Sequence, residues 1–349
     1  MLSGGLYAAR CQSARAGSRQ AAFPGLPACS PFSGPLCGGQ ASRASHSSLR
    51  GPSVTAIALA HLPDRALIRV SGPDAAHFLQ NLMTADIGDT DRNGAGFGAL
   101  LTPQGKILFD FLVYKSGDAY LLDAPEAAAA ELSKRLSFYR LRAKVEVEQL
   151  PAETGVFAAW NGAIEVPGAL LTVIDPRLEA LGQRIVGPVT QLSDAAGASL
   201  TDMAAYDAHR IGLGIPEGLK DYDYSDIFPH DADLDQLGGV SFKKGCFVGQ
   251  EVVARMQHRG TARKRFVQVE STTALPEKGT GITAQGKPVG TLGSSAALNG
   301  RTAGLALLRL DKVVQAKEKG SLLECGGAEL QVSLPEWAGF SWPEASAAD

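Results

Sequence analysis

The spacing of apolar positions changes repeatedly along this chain, and each change marks an element. Ala66-Leu67-Ile68-Arg69-Val70 reads as a strand. Ser71-Gly72-Pro73-Asp74 then supplies a turn and helix start, with Phe78, Leu79 and Leu82 spaced as one helix face. Gly94 to Leu101, the turn Thr102-Pro103-Gln104-Gly105-Lys106 and the apolar run Ile107 to Tyr114 predict a hairpin. Lys115-Ser116-Gly117-Asp118 is a second turn, leading to a further short strand. The alanine-rich stretch Glu126 to Tyr139, with Leu132 and Leu136 one turn apart, predicts a helix. Lys144-Val145-Glu146-Val147-Glu148 alternates strictly and predicts a strand. The order β-α-β-β-α-β, with one strand added, is the split βαβ pattern of ferredoxin-like units.

Beyond this first part (54–150) the pattern shortens. Apolar runs from Thr154 to Val189 alternate with Gly and Pro turns. Asp202 to Gly212 predicts a helix, with Met203, Tyr206 and Ile211 on its apolar side. Gly214 to Gly239 is a polar, acidic loop, long enough to imply a role beyond connection. It closes a second α+β part, 151–262. Past Arg263-Lys264-Arg265 come the runs Phe266 to Glu270, Gly290 to Leu292, Ala303 to Leu310 and Leu330 to Leu334. Short strands divided by turns such as Gln285-Gly286-Lys287 predict a small β-barrel or sandwich over 263–336, with an irregular tail over 337–349. The fold class expected is therefore α+β with a C-terminal β-barrel.

Chemistry concentrates in Val240 to Arg255. Gly245 and Gly249 permit backbone shapes and close approaches closed to other residues. After Gly249 the pattern turns helical, which sets Gln250 and Glu251 in a first turn where free N–H groups gather polar ligands. Glu251 and Arg255 are one turn apart and can pair. Glu251 is a candidate acceptor for a ligand's amino groups; a helix N-terminal charge is the plainer alternative. Lys244 and Arg255 either hold a ligand's anionic tail or order the loop. Tyr206 and Phe247 are stacking candidates, although aromatics at helical spacing are commonly core. Asp110, in an otherwise apolar strand, needs a partner or a cavity to face.

Cys246 is a candidate functional thiol, reactive or shared with a partner; a packed structural thiol is the alternative. Cys325 lies far off in sequence and no histidine is nearby, so no self-contained or stably bound metal or cluster site is expected. His209, His230 and His258 are scattered and read as ordinary polar residues.

Composition limits the partners. A formal charge of −3 over 349 residues gives no case for direct nucleic-acid binding. No apolar run approaches the roughly 18 residues of a membrane span, so no membrane partner and a soluble monomer are expected. Residues 1–53 differ in kind: Arg10, Arg15, Arg19, Arg43 and Arg50 occur among many serines, with no acid before Asp64. That is the composition of a mitochondrial transit peptide; a disordered or mis-assigned upstream extension is the alternative. Cys11, Cys29 and Cys37 all fall in this leader, which argues against a disulfide framework in the body and fits a reducing compartment, mitochondrial matrix or bacterial cytoplasm.

The segment Lys244-Gly245-Cys246-Phe247-x-Gly249-Gln250-Glu251-x-x-x-Arg255 resembles the motif of the YgfZ family, folate-binding proteins of iron–sulfur cluster assembly and repair with a mitochondrial branch. That family belongs to the aminomethyltransferase (glycine-cleavage T-protein) superfamily. The resemblance covers roughly Leu62 to Leu334. Phe78-Leu79-Gln80, Gly105-Lys106-Ile107 with Asp110, and Arg210-Ile211 with Gly214-Ile215-Pro216 are similar to further family segments. It implies ferredoxin-like units around a central folate site that takes tetrahydrofolate or another reduced folate. It also implies iron–sulfur client enzymes and cluster-carrier proteins as partners.

Two positions depart from the aminomethyltransferases. Phe109-Asp110 stands where they carry paired aspartates, and Gly212 where they carry a pterin-contacting glutamate. Acid–base work on a folate amine needs positioned carboxyls. The departures therefore favour a folate-binding accessory protein over the alternative, a tetrahydrofolate-dependent aminomethyl or one-carbon transferase. A plain interaction scaffold is the third reading.

Overall fold

The computed structural model describes residues 56–193, 197–260 and 262–344. The leader, with its transit-peptide composition and three cysteines, lies outside the described residues.

The described chain opens on β1 (Ala58–His61), a strand too short for the hydrophobic pattern to announce. Next come β2 (Arg65–Ser71), α1 (Ala75–Leu82), α2 (Ile87–Asn93), β3 (Ala95–Leu101), β4 (Ile107–Ser116), β5 (Ala119–Pro125), α3 (Glu126–Tyr139) and β6 (Glu146–Gln149). The first sheet has the order β3-β4-β5-β2-β6, with every neighbouring pair antiparallel. The added strand of the expected split βαβ unit is β5. The turn at Lys115–Asp118 is tight, so Ser116 pairs directly with Ala119 and β5 folds back beside β4. This inserts β5 between β2 and β4, at the middle of the sheet, where all its residues are buried. On α3, Leu132 and Leu136 face the core, as their spacing predicts.

The second sheet is built from β7 (Thr154–Trp160), β8 (Leu171–Ile174), β9 (Gln183–Pro188) and β10 (Ser199–Thr201), with the short helix α4 (Val189–Leu192). Its order is β10-β1-β7-β9-β8, so β1 belongs here although it precedes the first sheet in sequence. Helix α5 (Met203–Gly212) follows, and the Asp202 carboxylate caps it by accepting from the Ala205 N–H at 2.9 Å.

After the loop from Gly214 and helix α6 (Gln250–Arg259), the chain forms a closed barrel. Its strands are β11 (Lys264–Ser271), β12 (Gly281–Ala284), β13 (Lys287–Leu298), β14 (Arg301–Arg309), β15 (Leu323–Cys325) and β16 (Ala328–Ser333). Helix α7 (Leu310–Glu318), between β14 and β15, packs Leu310, Val313 and Ala316 into the barrel core. Residues 337–344 form no helix or strand, and Trp337 donates to the Leu213 carbonyl at 2.8 Å. One apolar cluster joins β4 (Leu112, Tyr114), β7 (Val156, Trp160), the loop (Ile215, Phe247) and the barrel (Phe266, Leu305). The two sheets, the long loop and the barrel therefore meet in one shared cluster, beside further clusters of their own.

Candidate functional site

At that shared interior the apolar packing gives way to charge. Arg65, the first residue of β2, donates to Asp123 of β5 at 2.6 Å and to Glu217 of the long loop at 3.1 Å. Tyr114 of β4 donates to the other Asp123 oxygen at 2.6 Å. In the second sheet, Asp175 accepts from Arg177 at 2.8 Å and from Arg184 of β9 at 3.0 Å. Arg210 of α5 reaches Asp221 at 2.6 Å and Ser294 of β13 at 3.0 Å. Glu217 stands between these groups, with Lys220 at 3.6 Å, Arg177 at 3.7 Å and Arg210 at 4.0 Å besides Arg65. Burial works against its charge, but Lys220, Arg65, Arg210 and Arg177 outweigh it and hold the Glu217 carboxyl well below its ordinary range. Asp175 is likewise opposed by burial and drawn down to about 2 by Arg177 and Arg184. In a buried charge network of this kind, removing one partner costs far more than the pair contributes.

Asp110 lies at the edge of this network, and its environment acts in the opposite direction. It is buried on β4, and Tyr224 donates to its Oδ1 at 2.6 Å. Burial pushes its carboxyl up, and the Tyr224 bond and the Arg65 charge only partly pull it back. Gly218 leaves room for it, since a Cβ there would stand 2.1 Å from Asp110 Oδ1. The buried Tyr222 hydroxyl, close to Asp110, makes no hydrogen bond of ordinary geometry, and Nη1 of Arg184, beside Asp175 and Tyr206, has no partner. A buried carboxyl and buried hydrogen-bonding groups without a full set of partners occur together in this junction.

Tyr206 is also in the junction, but not as a free stacking surface. Its hydroxyl accepts from Arg184 at 2.5 Å and Arg177 at 3.1 Å, and the Arg184 guanidinium lies 4.9 Å from its ring centre. Trp160 meets it edge-on at 5.8 Å. Both hydroxyl and ring are occupied, so the stacking expectation for Tyr206 gives way to a structural role within the charge network.

The motif around Cys246 sits in a different setting. Lys244 is buried and spends its ammonium on three backbone carbonyls, Gln80 at 2.5 Å, Met83 at 2.7 Å and Ala85 at 2.8 Å. These lie at and beyond the C-terminal end of α1, where carbonyls have no helical partner. Of its two expected roles, Lys244 fills loop ordering and has no donor left for a ligand's tail. Phe247 is packed in the core rather than offered to a ligand. Gly249 has φ 81°, and a Cβ there would come within 2.6 Å of the Thr102 carbonyl. The start of α6 thus presses on the β3–β4 turn, which only glycine permits. Gly245 is exposed with open space around it, and Gln250 is half-buried at the start of α6. Glu251 and Arg255 pair at 2.9 Å, but their side chains are 87% and 57% exposed. The plainer reading of that pair holds: a surface ion pair in water, unsuited to grip a buried ring. Cys246 is exposed, whereas Cys325 is buried in the barrel.

The structure therefore gathers Asp110 and Tyr206 in the junction and leaves Lys244, Gly245, Cys246, Phe247, Gly249, Gln250, Glu251 and Arg255 in a separate loop and helix. Sequence reading passed over Arg65, Asp123, Asp175, Arg177, Arg184, Glu217 and Asp221. The available signal was charge inside strand-like runs, as in Arg65 and Asp123, where an unpaired charge is too costly to leave in a core. Among the described residues, no group of three or more His, Cys, Asp or Glu side chains is placed to hold a metal ion.

The fold defines the class. A family model for the GCVT N-terminal domain matches residues 53–160, and one for the CAF17 C-terminal beta-barrel domain matches 263–340. Among solved structures, the glycine cleavage system aminomethyltransferase T from Bartonella henselae superposes with a TM-score of 0.64 at 18% identity, covering 80% of this chain and 85% of that one. The fold is that of the aminomethyltransferase superfamily. Within it, the human mitochondrial iron-sulfur cluster assembly factor IBA57 is 33% identical over 82% of this chain and 85% of its own length. The Mus musculus counterpart is 31% identical over 82% and 85%, and a homolog from Pyricularia oryzae is 32% identical over 77% and 76%. The chain belongs to the IBA57 family, of the YgfZ type, as the motif around Cys246 implies.

Proposed function

We propose that this chain is an iron–sulfur cluster assembly factor that holds a reduced folate at the buried junction and offers Cys246 to its protein partners from the surface. The observation that carries the reading is the contrast in setting: an exposed thiol on a loop anchored by three backbone bonds from Lys244. Family membership supports the assembly role, since the relatives are named for it. The partners are cluster-carrier proteins and iron–sulfur client enzymes. The compartment is the mitochondrial matrix, for which the relatives' names speak together with the Arg- and Ser-rich leader.

The buried polar groups of the junction support a pterin site better than the solvent-exposed Glu251–Arg255 pair does. Asp110 would accept from its amino and ring N–H groups, while the Tyr222 hydroxyl and Arg184 Nη1 offer unused donors. A bound folate would supply a reduced pterin and a negatively charged glutamate tail. The chain's own contribution is a buried carboxyl, shielded from water, that accepts hydrogen bonds. Glu251 and Arg255, in solvent, are not part of this site.

Calorimetric titration of the full chain with tetrahydrofolate tests the reading. Binding that weakens in Asp110→Ala and persists in Glu251→Ala is expected. Loss of a buried acceptor costs about 1–3 kcal/mol, from about fivefold to about 150-fold in affinity. No heat at millimolar ligand removes the folate half of the proposal, and turnover with an aminomethyl donor would replace the accessory role by the transferase reading.

A further inference from the structure

We propose that the C-terminal end of α3 and the loop after it form a docking surface for an anionic lipid membrane. The observations lie far in sequence from Cys246 and Asp110 and do not depend on either. Between Glu131 and Glu146 the sequence holds Lys134, Arg135, Arg140, Arg142 and Lys144 and no acid, in a chain whose formal charge is −3. Arg135 pairs with Glu131 at 3.5 Å, and Arg140 reaches the Val145 carbonyl at 3.3 Å. Among the described residues, no ion pair holds Lys134, Arg142 or Lys144, and all three are exposed. Capping of the helix C-terminus explains one or two cations there, not five.

Two large apolar side chains stand among these charges. Phe138 is 72% exposed and Leu141 is 87% exposed, the most exposed large apolar side chains among the described residues. Leu141 has φ 43°, in the left-handed region that a γ-branched residue gains nothing by adopting. Asn or Gly would suit that backbone better, so folding alone gives no reason for leucine at this position. Beside them a groove of about 380 Å³ is lined by Phe78, Leu82, Tyr139 and Ala143 with His77, Asn81 and Asp74, whose carboxylate accepts from the Lys144 backbone N–H at 2.7 Å.

Separate apolar side chains projecting between cations match a bilayer interface. There the basic groups meet lipid headgroups while single side chains enter a fluid boundary. A nucleic acid or acidic peptide would be held by the cations alone and would leave Phe138 and Leu141 in water. The absence of a membrane-spanning run, from which no membrane partner was expected, concerns insertion across a bilayer and leaves a peripheral surface open.

The test is co-sedimentation of the full chain with phosphatidylcholine vesicles, with and without cardiolipin, at low and high salt. Capture by the cardiolipin vesicles alone, weakened by salt, is expected. Lys134→Glu combined with Arg142→Glu should lower partitioning by tenfold or more, each cation near an anionic surface being worth about fivefold. Leu141→Asn should lower it by about tenfold while leaving the melting temperature unchanged or higher, which separates docking from folding. Three results overturn the proposal: no capture by cardiolipin vesicles at low salt, capture of Leu141→Asn equal to wild type, or binding of RNA or a polyglutamate peptide without binding of vesicles.

Discussion

The junction around Glu217 and the loop around Cys246 contain similar residue types and use them in opposite ways. In the junction, the side chains of Arg65, Arg177, Arg210 and Glu217 are at most 5% exposed and are joined across two sheets and a long loop. In the loop and α6, Glu251 and Arg255 form a pair of comparable length that stands in solvent. A 2.9 Å contact at the surface contributes tenths of a kcal/mol, whereas a buried charge deprived of its partner costs several. Pairing distance alone therefore says little about a residue's role. What distinguishes the two regions is how much of the surrounding water has been removed.

The sharpest way to break this comparison is to remove the central acid of the junction. Glu217→Ala leaves Arg65, Arg177, Arg210 and Lys220 facing one another with less compensation. A loss of about 3–5 kcal/mol is expected in urea unfolding. A loss below about 1 kcal/mol would mean that the junction is wetter than its burial implies.

Lys244 tests the border between the regions, since it lies in the surface motif yet is buried. Lys244→Met keeps the apolar stem and takes the donors away from the Gln80, Met83 and Ala85 carbonyls. The expected cost is about 1–3 kcal/mol, with faster amide exchange at the end of α1 as its local signature. Unchanged stability would return Lys244 to the pool of side chains available to a ligand.

Acid titration separates the junction from its own edge. Asp175 is drawn from an ordinary 3.8 to about 2, so its contribution is present above pH 3.8 and is lost as pH falls toward 2. That contribution is about 2 kcal/mol and should vanish from the stability profile of Asp175→Asn. Asp110 has the opposite sign. Its carboxyl is raised by burial, so its stabilising effect is greatest below pH 3.8 and is lost as pH climbs through the folded value. Asp110→Asn should therefore gain stability relative to wild type at neutral pH, and a loss there would show that the ionised form is the one the fold prefers.

How much of this was legible in the sequence follows from the range over which each feature is encoded. The α1, β3–β4 hairpin, α3 and α5 elements lie in contiguous periodic runs, and each forms close to where its pattern sets it. The barrel is legible from its turns. The position of β5 between β2 and β4, and of β1 in the second sheet, depends on pairings that no local run records. The candidate site divides in the same way. The Cys246 motif is contiguous and could be recognised, but Gly249 and Lys244 within it fix backbone. The junction draws on residues from Arg65 to Ser294, brought together only by the packing of three sheets' worth of chain. Charges embedded in apolar runs were its one local trace, and only Asp110 was read that way.

The smallest expected effect on stability concerns Cys246, and it is also the most informative about function. A packed thiol replaced by alanine leaves a void costing about 1 kcal/mol, and serine in its place adds the cost of burying a hydroxyl. Cys246 is exposed, and Gly245 beside it meets no atom within 4 Å of a would-be Cβ. Neither cost then applies: Cys246→Ala and Cys246→Ser should both melt within about 0.5 kcal/mol of wild type, as surface changes do. Tetrahydrofolate affinity should not move either, because Asp110 and Tyr222 belong to the other region. If the thiol serves partners, both variants will nonetheless fail to restore iron–sulfur enzyme activity in a deletion strain at wild-type expression. Rescue by Cys246→Ala would leave the motif with only the structural duties of Lys244 and Gly249, and the functional contrast between the two regions would disappear with it.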